Sequence, residues 1–180
     1  MKIKKKNKRV VIEKSRFKLP KIDFKLLFIC LFIVYFVSYI GSQFVVIDSW
    51  YYSVRPSITP PSFVFSVVWT ILFFLIGLAL YFSLKEDKIF QKNATILYSI
   101  NLILNILWSF FYFTMHDVVT AFIILILLLA SIVVLIYYHW RRKRIVSYLL
   151  MPYLIWICFA GVLNLLTIIG INFSLIRILF

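Results

Sequence analysis

The stretch FIILILLLASIVVLI, residues 122–136, decides the fold class of this chain. It contains no charged residue and lacks the alternation of polar and apolar residues that is typical of a membrane β-strand. The hydrocarbon core of a bilayer, about 30 Å thick, needs about 20 apolar residues per spanning helix. Five segments meet that length, at about residues 26–47, 62–84, 93–113, 118–139 and 147–169. The sequence therefore predicts an all-α integral membrane bundle of five transmembrane helices.

The distribution of charge predicts how this bundle is oriented. The chain is 64% hydrophobic with a mean hydropathy of +1.02, which excludes an ordinary soluble domain. Of its 20 Lys and Arg residues, eleven lie within residues 1–25 and seven in the second and fourth loops, whereas Arg55 and Arg177 lie on the other side. Because cytoplasmic loops retain Lys and Arg, we expect a cytoplasmic N-terminus and an external C-terminus.

The chain divides into three parts by composition. Residues 1–25 predict a basic, disordered cytoplasmic tail, residues 26–170 the five-helix membrane domain, and residues 171–180 a short C-terminal tail. The net charge of +14 raises nucleic-acid binding as an alternative for the first tail. Contact with anionic lipid headgroups explains the same charge, so we expect membrane lipid and no nucleic acid as a partner. The first span is expected to stay attached, in the plasma membrane of a prokaryote.

The first loop, residues 48–62, is the one long connection between spans, and its prolines stiffen it. Thr59 is predicted to cap the second span, with Pro60 and Pro61 in its first turn, where a missing N–H costs nothing. The loop is either a lid over a cavity or an aromatic belt at the headgroups. The candidate lid residues are Trp50, Arg55, Pro56, Thr59, Pro60 and Pro61.

Polar and aromatic side chains line up at helical spacing within the spans. Asn101, Asn105 and Trp108 share one face of the third span. Each amide, taken alone, is explained as interhelical glue worth about 1 kcal/mol or less. The set as a whole favours a pocket with aromatic walls for a flat apolar ligand. Further walls would come from the stripes Tyr35, Ser38, Gly41 and Ser42; Phe65, Trp69 and Phe73; and Trp156, Ala160, Asn164 and Thr167.

The sequence offers little catalytic machinery. All six acidic residues lie outside the spans, so no intramembrane carboxylate pair is available. Cys30 and Cys158 fall inside spans, and neither suggests metal-ligand spacing. His116 and His139 are either haem ligands or, more simply, interfacial residues at the ends of helices. We therefore predict no metal site and no required cofactor, with binding favoured over bond-breaking.

Residues 26–170 resemble a known family through motifs in a fixed order: Trp50-Tyr51, Arg55-Pro56, Thr59-Pro60-Pro61, Phe65, Trp69, Asn101, Asn105, Trp108, Pro152-Tyr153-Leu154-Ile155-Trp156, Phe159-Ala160 and Asn164. This pattern is similar to the TspO/MBR family, the tryptophan-rich sensory or translocator proteins, also called peripheral benzodiazepine receptors. The resemblance implies a five-helix bundle, often a homodimer. It also implies that the first loop covers a pocket for porphyrin, haem, sterols in some members, and benzodiazepine-type drugs.

The resemblance assigns roles to individual positions. The ligand-binding residues, with Trp108 from the third-span stripe, would be Tyr51, Trp69, Asn101, Asn105, Trp108, Trp156 and Ala160. Some bacterial members degrade protoporphyrin in light, which would give Trp69 and Trp156 a catalytic role. Three functions stay open: a binding or sensory protein, a light-dependent porphyrin-degrading enzyme, and a translocator of porphyrin or lipid.

The sequence departs from the family pattern at several places. Ile58 stands where Trp is common, Asn101 stands where Gln is frequent, and residues 123–127 lack the Asp often found in the fourth span. Residues 162–177 contain no Tyr, so the sterol-recognition pattern expected late in the fifth span is absent.

Overall fold

The computed structural model describes residues 22–179, with side chains described for residues 22–171. Within this part the chain is helical and contains no strand, and five of its helices are long and apolar enough to cross a membrane. The prediction of an all-α bundle with five spans is confirmed. The elements are α1 Phe24–Ser42, α2 Ser49–Val54, α3 Ser62–Ser83, α4 Lys88–Ser109, a π-helical turn Phe110–Thr114, α5 Val118–Trp140 and α6 Arg144–Leu179.

Of the two predicted tails, the N-terminal one lies mostly outside the described residues and the C-terminal one is part of a helix. Most of the basic N-terminal tail, residues 1–21, lies outside the described residues, and α1 already begins at Phe24. At the other end, α6 continues to Leu179, through the residues that the sequence analysis separated as a C-terminal tail. Pro152 lies inside α6, where it cannot donate a backbone hydrogen bond to the preceding turn.

Aspartate side chains begin four of the helices. Each accepts a hydrogen bond of 2.9–3.0 Å from the backbone N–H three residues further on, which satisfies one of the free amides of the first turn. The amide of Phe90 and the guanidinium of Arg142 hold the pKa of Asp87 below its ordinary value. The four capping residues, for α1, α2, α4 and α5 in turn, are Asp23, Asp48, Asp87 and Asp117.

The start of α3 differs from the sequence prediction. The helix begins at Ser62 with Pro61 at the N-cap position, and no side chain caps its amides. The predicted cap by Thr59 is therefore wrong, and the physical reason is distance along the chain. A capping side chain must stand immediately before the helix, whereas Pro60 and Pro61 separate Thr59 from Ser62. The Thr59 hydroxyl is instead buried without a hydrogen-bond partner.

The five spans pack as a closed ring in the order α1, α3, α6, α5, α4 and back to α1. The helices α1 and α3 pack closely at Gly77, where an added Cβ would lie 2.6 Å from Cδ2 and 3.4 Å from Cα of Leu31. Absence of a side chain at Gly77 lets the two backbones meet here. Most of the packed interior of the ring consists of Leu, Ile, Val, Ala and aromatic side chains.

The connections meet at the two ends of the ring. At one end, Lys143 pairs with Glu86 at 2.8 Å and Arg142 pairs with Asp87, which joins the α3–α4 loop to the α5–α6 loop. This is the end that the sequence predicts to be cytoplasmic. His139 lies here with no exposed surface, and its ring nitrogens contact Ser83 Oγ at 2.9 Å and the Leu135 carbonyl at 2.7 Å. The expectation that His139 meets the interface is therefore wrong, because Ser83 at the end of α3 and the rings of Phe90 and Tyr98 in α4 pack against it.

Candidate functional site

A large cavity lies inside the ring, at the end opposite His139. Its volume is about 470 Å³, within the range of pockets that hold drug-sized ligands. The walls come from α1, α3, α4 and the π-helical turn, and α2 with its flanking loop covers it. The stripes from α1 and α3 that the sequence analysis selected are all in the lining: Tyr35, Ser38, Gly41, Ser42, Phe65, Trp69 and Phe73.

Aromatic rings form the inner wall of this cavity. Trp69 stacks on Phe73 with ring centroids 5.3 Å apart, and its centroid lies 6.4 Å from that of Trp108. The ring of Tyr153, which does not line the cavity, meets the ring of Trp69 edge to face with centroids 6.2 Å apart. Aromatic pairs in these geometries contribute about 0.5–1.5 kcal/mol beyond their burial. Trp69 is therefore held by its neighbours, with the cavity on its open side.

The amides of α4 divide between the cavity and the core. Asn105 lines the cavity and donates to the Tyr153 hydroxyl at 3.2 Å, and that hydroxyl donates to Asn101 Oδ1 at 3.2 Å. Asn101 in turn donates to Ser131 Oγ at 2.8 Å and has no exposed surface. Asn101 therefore links α4, α5 and α6 in the core and does not line the cavity, whereas Asn105 takes part in both.

A second polar group joins α4 to α6 nearer the loop end. Trp108 Nε1 donates to Asn164 Oδ1 at 3.4 Å, and Asn164 Nδ2 donates to the Val118 carbonyl at 2.9 Å. Tyr112 and Thr167 join their hydroxyls at 3.0 Å. These bonds fix the indole of Trp108 against α6. Trp108 lines the large cavity and also a smaller cavity beside it.

A small cavity of about 30 Å³ lies beside the large one and reaches α6. Ala160 and Thr59 line it, and the two cavities share four walls: Tyr51, Phe65, Trp108 and Phe113. Trp156 lines neither cavity and packs its ring on Phe65 at a centroid distance of 5.4 Å. Its Nε1 is buried without a hydrogen-bond partner in the described part of the chain.

The first loop covers both cavities through the short helix α2. Tyr51 lines both cavities from above, and its burial raises the pKa of its hydroxyl. Trp50 stacks on the imidazole of His116 at a centroid distance of 3.9 Å, and His116 Nε2 lies 3.4 Å from Asp48 Oδ2. This geometry is that of a lid fastened to the third loop. For the loop, this geometry favours a lid over an aromatic belt. For His116, it favours a contact that holds the lid over a role as haem ligand.

The remaining lid residues lie around this fastening. Arg55 is exposed and places its guanidinium over the Tyr52 ring at 4.9 Å, and the Pro56 carbonyl accepts from the Thr59 amide at 3.0 Å. Sequence reasoning missed Ser66, Thr70, Ser109 and Phe113 as lining residues. Ser66 and Thr70 follow Ser62 at four-residue steps, and that spacing was a signal that could have identified them.

The sequence of this chain matches a known protein family. The sequence model of the TspO/MBR family matches residues 26–169. The chain is 37% identical to the tryptophan-rich protein TspO of Chlorobaculum tepidum, covering 80% of this chain and 94% of that protein. It is 32% identical to the protein of the same name from Archaeoglobus fulgidus, over 71% of this chain and 85% of that protein. It is 31% identical to the translocator protein of Ovis aries, over 71% and 79%.

Proposed function

The chain belongs to the TspO/MBR family, and on this premise we propose that it binds flat, largely apolar ligands of the porphyrin or haem type under its first loop. The observation that carries the proposal is the aromatic cavity of about 470 Å³ with Trp69 and Trp108 in its wall. Broad aromatic faces bind a planar ring system, and a few polar groups such as Asn105 orient it. The function is therefore that of a membrane-embedded binding or sensory protein.

The test is a dark titration of the purified protein with protoporphyrin IX, followed by the absorbance of the porphyrin. We expect saturable binding that Trp69→Phe weakens about tenfold, because the smaller ring covers less of the ligand. Trp140→Phe is the matched control, since Trp140 packs on Tyr148 at the opposite end of the bundle. Equal affinity in both variants would remove the cavity as the binding site.

The light-dependent degradation of protoporphyrin is the alternative function. It would use Trp69 and Trp156 as electron donors, as the family resemblance implies. Trp69 lies in the cavity wall, but Trp156 lines neither cavity, so only one of the two tryptophans supports this role by its position. Loss of porphyrin absorbance under illumination, with a new product, would favour the enzyme. Porphyrin flux into sealed vesicles would favour a translocator.

We also propose a cellular location and an oligomeric state for this protein. The chain is an integral multi-pass membrane protein, and we place it in the plasma membrane of a prokaryote. Relatives in a bacterium and an archaeon support this, as does the predicted retention of basic loops inside. A homodimer is expected from the family resemblance, and light scattering of the protein in detergent measures it.

A further inference from the structure

The large cavity has a mouth between α1 and α3. Its lining residues from α4, such as Asn105 and Trp108, are each only 6% exposed. Those from the facing edges of α1 and α3, including Ser42, Ser66 and Thr70, are exposed. The cavity is therefore closed on the side of α4 and open along the seam of α1 and α3.

A hydrogen bond crosses this seam beside the cavity. The Tyr35 hydroxyl of α1 donates to the Thr70 carbonyl of α3 at 3.0 Å, and both residues line the cavity. Further towards the cytoplasmic end, Gly77 packs against Leu31 and the two helices touch. The seam is therefore open on the loop side of this contact.

The mouth opens at the depth of the lipid tails. Thr70 lies eight residues after Ser62, which corresponds to about 12 Å along the helix axis at 1.5 Å per residue. The 22 residues of α3 extend about 33 Å by the same rise, close to the hydrocarbon thickness of a bilayer. Ser66, four residues after Ser62, lies about 6 Å along the axis by the same rise. A ligand that enters past Ser66, on the loop side of the Tyr35–Thr70 bond, therefore comes from the hydrocarbon of the outer leaflet, where an ionised carboxylate is costly.

The lining offers hydroxyl and amide groups but no charge. No Lys, Arg, His, Asp or Glu is among the residues that line this cavity. The hydroxyls of Ser38 and Ser109 form no hydrogen bond with the described residues, so they are free to donate to a ligand. At this end of the bundle, Arg55 is the one Lys or Arg within residues 22–171, and it does not line the cavity. An anionic ligand would therefore lose its hydration without gaining a cation.

We propose that this cavity takes an uncharged, flat amphiphile from the outer leaflet through the seam between α1 and α3, and selects against ligands with ionised carboxylates. The inference rests on the proposed function, because it specifies which members of the porphyrin-type class the site accepts. Protoporphyrin IX and haem carry two carboxylates each, whereas a diester of the same ring carries none. Hydroxyl, carbonyl and ester oxygens are the polar groups that the serines and Asn105 recognise.

The ligand class is tested with two probes of one shape. The protein, in nanodiscs of zwitterionic phosphatidylcholine, is titrated in the dark with protoporphyrin IX and with its dimethyl ester, each expressed as a mole fraction of lipid. We expect the ester to bind at least about tenfold tighter, since only the acid must bury ionised groups. Equal or tighter binding of the acid overturns the inference and leaves the proposed function standing. Binding of neither probe contradicts the proposed function itself.

The route is tested by filling the mouth. Thr70→Phe places a ring in the seam and is expected to slow association of the ester at least about fivefold. Thr95→Phe is the matched control, because Thr95 is also exposed on a span and its hydroxyl likewise bonds the carbonyl four residues earlier. Ser66→Phe is the second plug if Thr70→Phe fails to fold. Association at the wild-type rate in a folded plug variant overturns entry through the seam.

Discussion

His116 joins the first loop to the third loop through one imidazole ring. The ring lies flat on Trp50, with an angle of 15° between planes, and points Nε2 at Asp48. His116 is also the one non-glycine residue of the described chain with a positive φ, at 54°. That conformation is costly for a residue with a Cβ, and the surrounding contacts must stabilise it. Asp48 caps α2 as well, so a single carboxylate fixes the helix and its fastening.

At this scale we predict that His116→Asn loosens the lid. Asn tolerates positive φ, so the variant removes the ring stack and the contact to Asp48 without adding backbone strain. The stack is worth about 0.5–1.5 kcal/mol, and the contact of His116 with Asp48, whose side chains are about a third exposed, contributes at most about 1 kcal/mol. Together these contributions amount to about 0.5–2.5 kcal/mol, so we expect amide hydrogen exchange in residues 49–55 to rise by about two- to seventyfold.

The control for the lid is Asp48→Asn, which keeps a capping oxygen for α2 and the stack of His116 on Trp50 but removes the carboxylate from His116. Its exchange should lie between those of the wild type and His116→Asn. Unchanged exchange in both variants would mean that α2 is held by Tyr51 and the cavity walls alone.

Among the helices, α1 and α3 set the width of the cavity. They meet at Gly77 and Leu31 and are joined nearer the loop by the bond of Tyr35 to Thr70. The two helices are therefore in close contact at Gly77 and Leu31, and from there they continue along the two sides of the cavity mouth. A side chain inserted there changes both packing and the seam.

For these helices we predict that Gly77→Val destabilises the bundle by about 1–3 kcal/mol, the usual cost of overpacking a closely packed contact. A Cβ there would meet Leu31 Cδ2 at 2.6 Å, which rotation of that side chain can relieve. It would also touch Leu31 Cα at 3.4 Å, so the two γ-methyls of Val have no room beyond it on the side of α1. Gly170→Val is the matched control, because nothing lies within 4 Å of a Cβ at that position. Thermal unfolding in one detergent measures both, and equal midpoints would contradict the close contact.

The two ends of the whole molecule differ in chemistry. The end predicted to be cytoplasmic carries the ion pairs of Glu86 with Lys143 and of Asp87 with Arg142, above the buried His139. The opposite end carries the aromatic cavity and its lid, with few charges. The first and third loops meet at one end and the second and fourth at the other, as five antiparallel spans require. A ligand from the outer leaflet would therefore reach the cavity without passing the charged end.

On this scale we predict the orientation from the basic loops. In a background with Cys30→Ala and Cys158→Ala, Ser53→Cys should react with a membrane-impermeant maleimide in intact cells, since Ser53 is exposed in α2. Lys88→Cys, exposed at the start of α4, should react only after lysis. The reverse pattern would place the basic loops outside and contradict the predicted topology.

The sequence by itself determined the number of spans, because each apolar segment long enough to cross the bilayer must be helical to satisfy its own backbone. It also identified much of the cavity wall, including Tyr35, Trp69, Phe73, Asn105 and Trp108, because helical periodicity places such residues on one face. The family followed from motifs in order along the chain. These are local or one-dimensional properties, and no knowledge of packing is needed for them.

Only the tertiary structure decided how those faces meet. Asn101 and Asn105 occupy one face, yet Asn101 turns into the core because Ser131 and Tyr153 supply its partners from α5 and α6. Trp156 packs on Phe65 and lines neither cavity. Thr59 does not cap the first turn of α3. Which partner a polar group finds depends on the rotation of neighbouring helices, and this is set by contacts between residues far apart in sequence. The mouth between α1 and α3 likewise depends on how these two helices pack, and the close contact at Gly77 lies beyond its inner end.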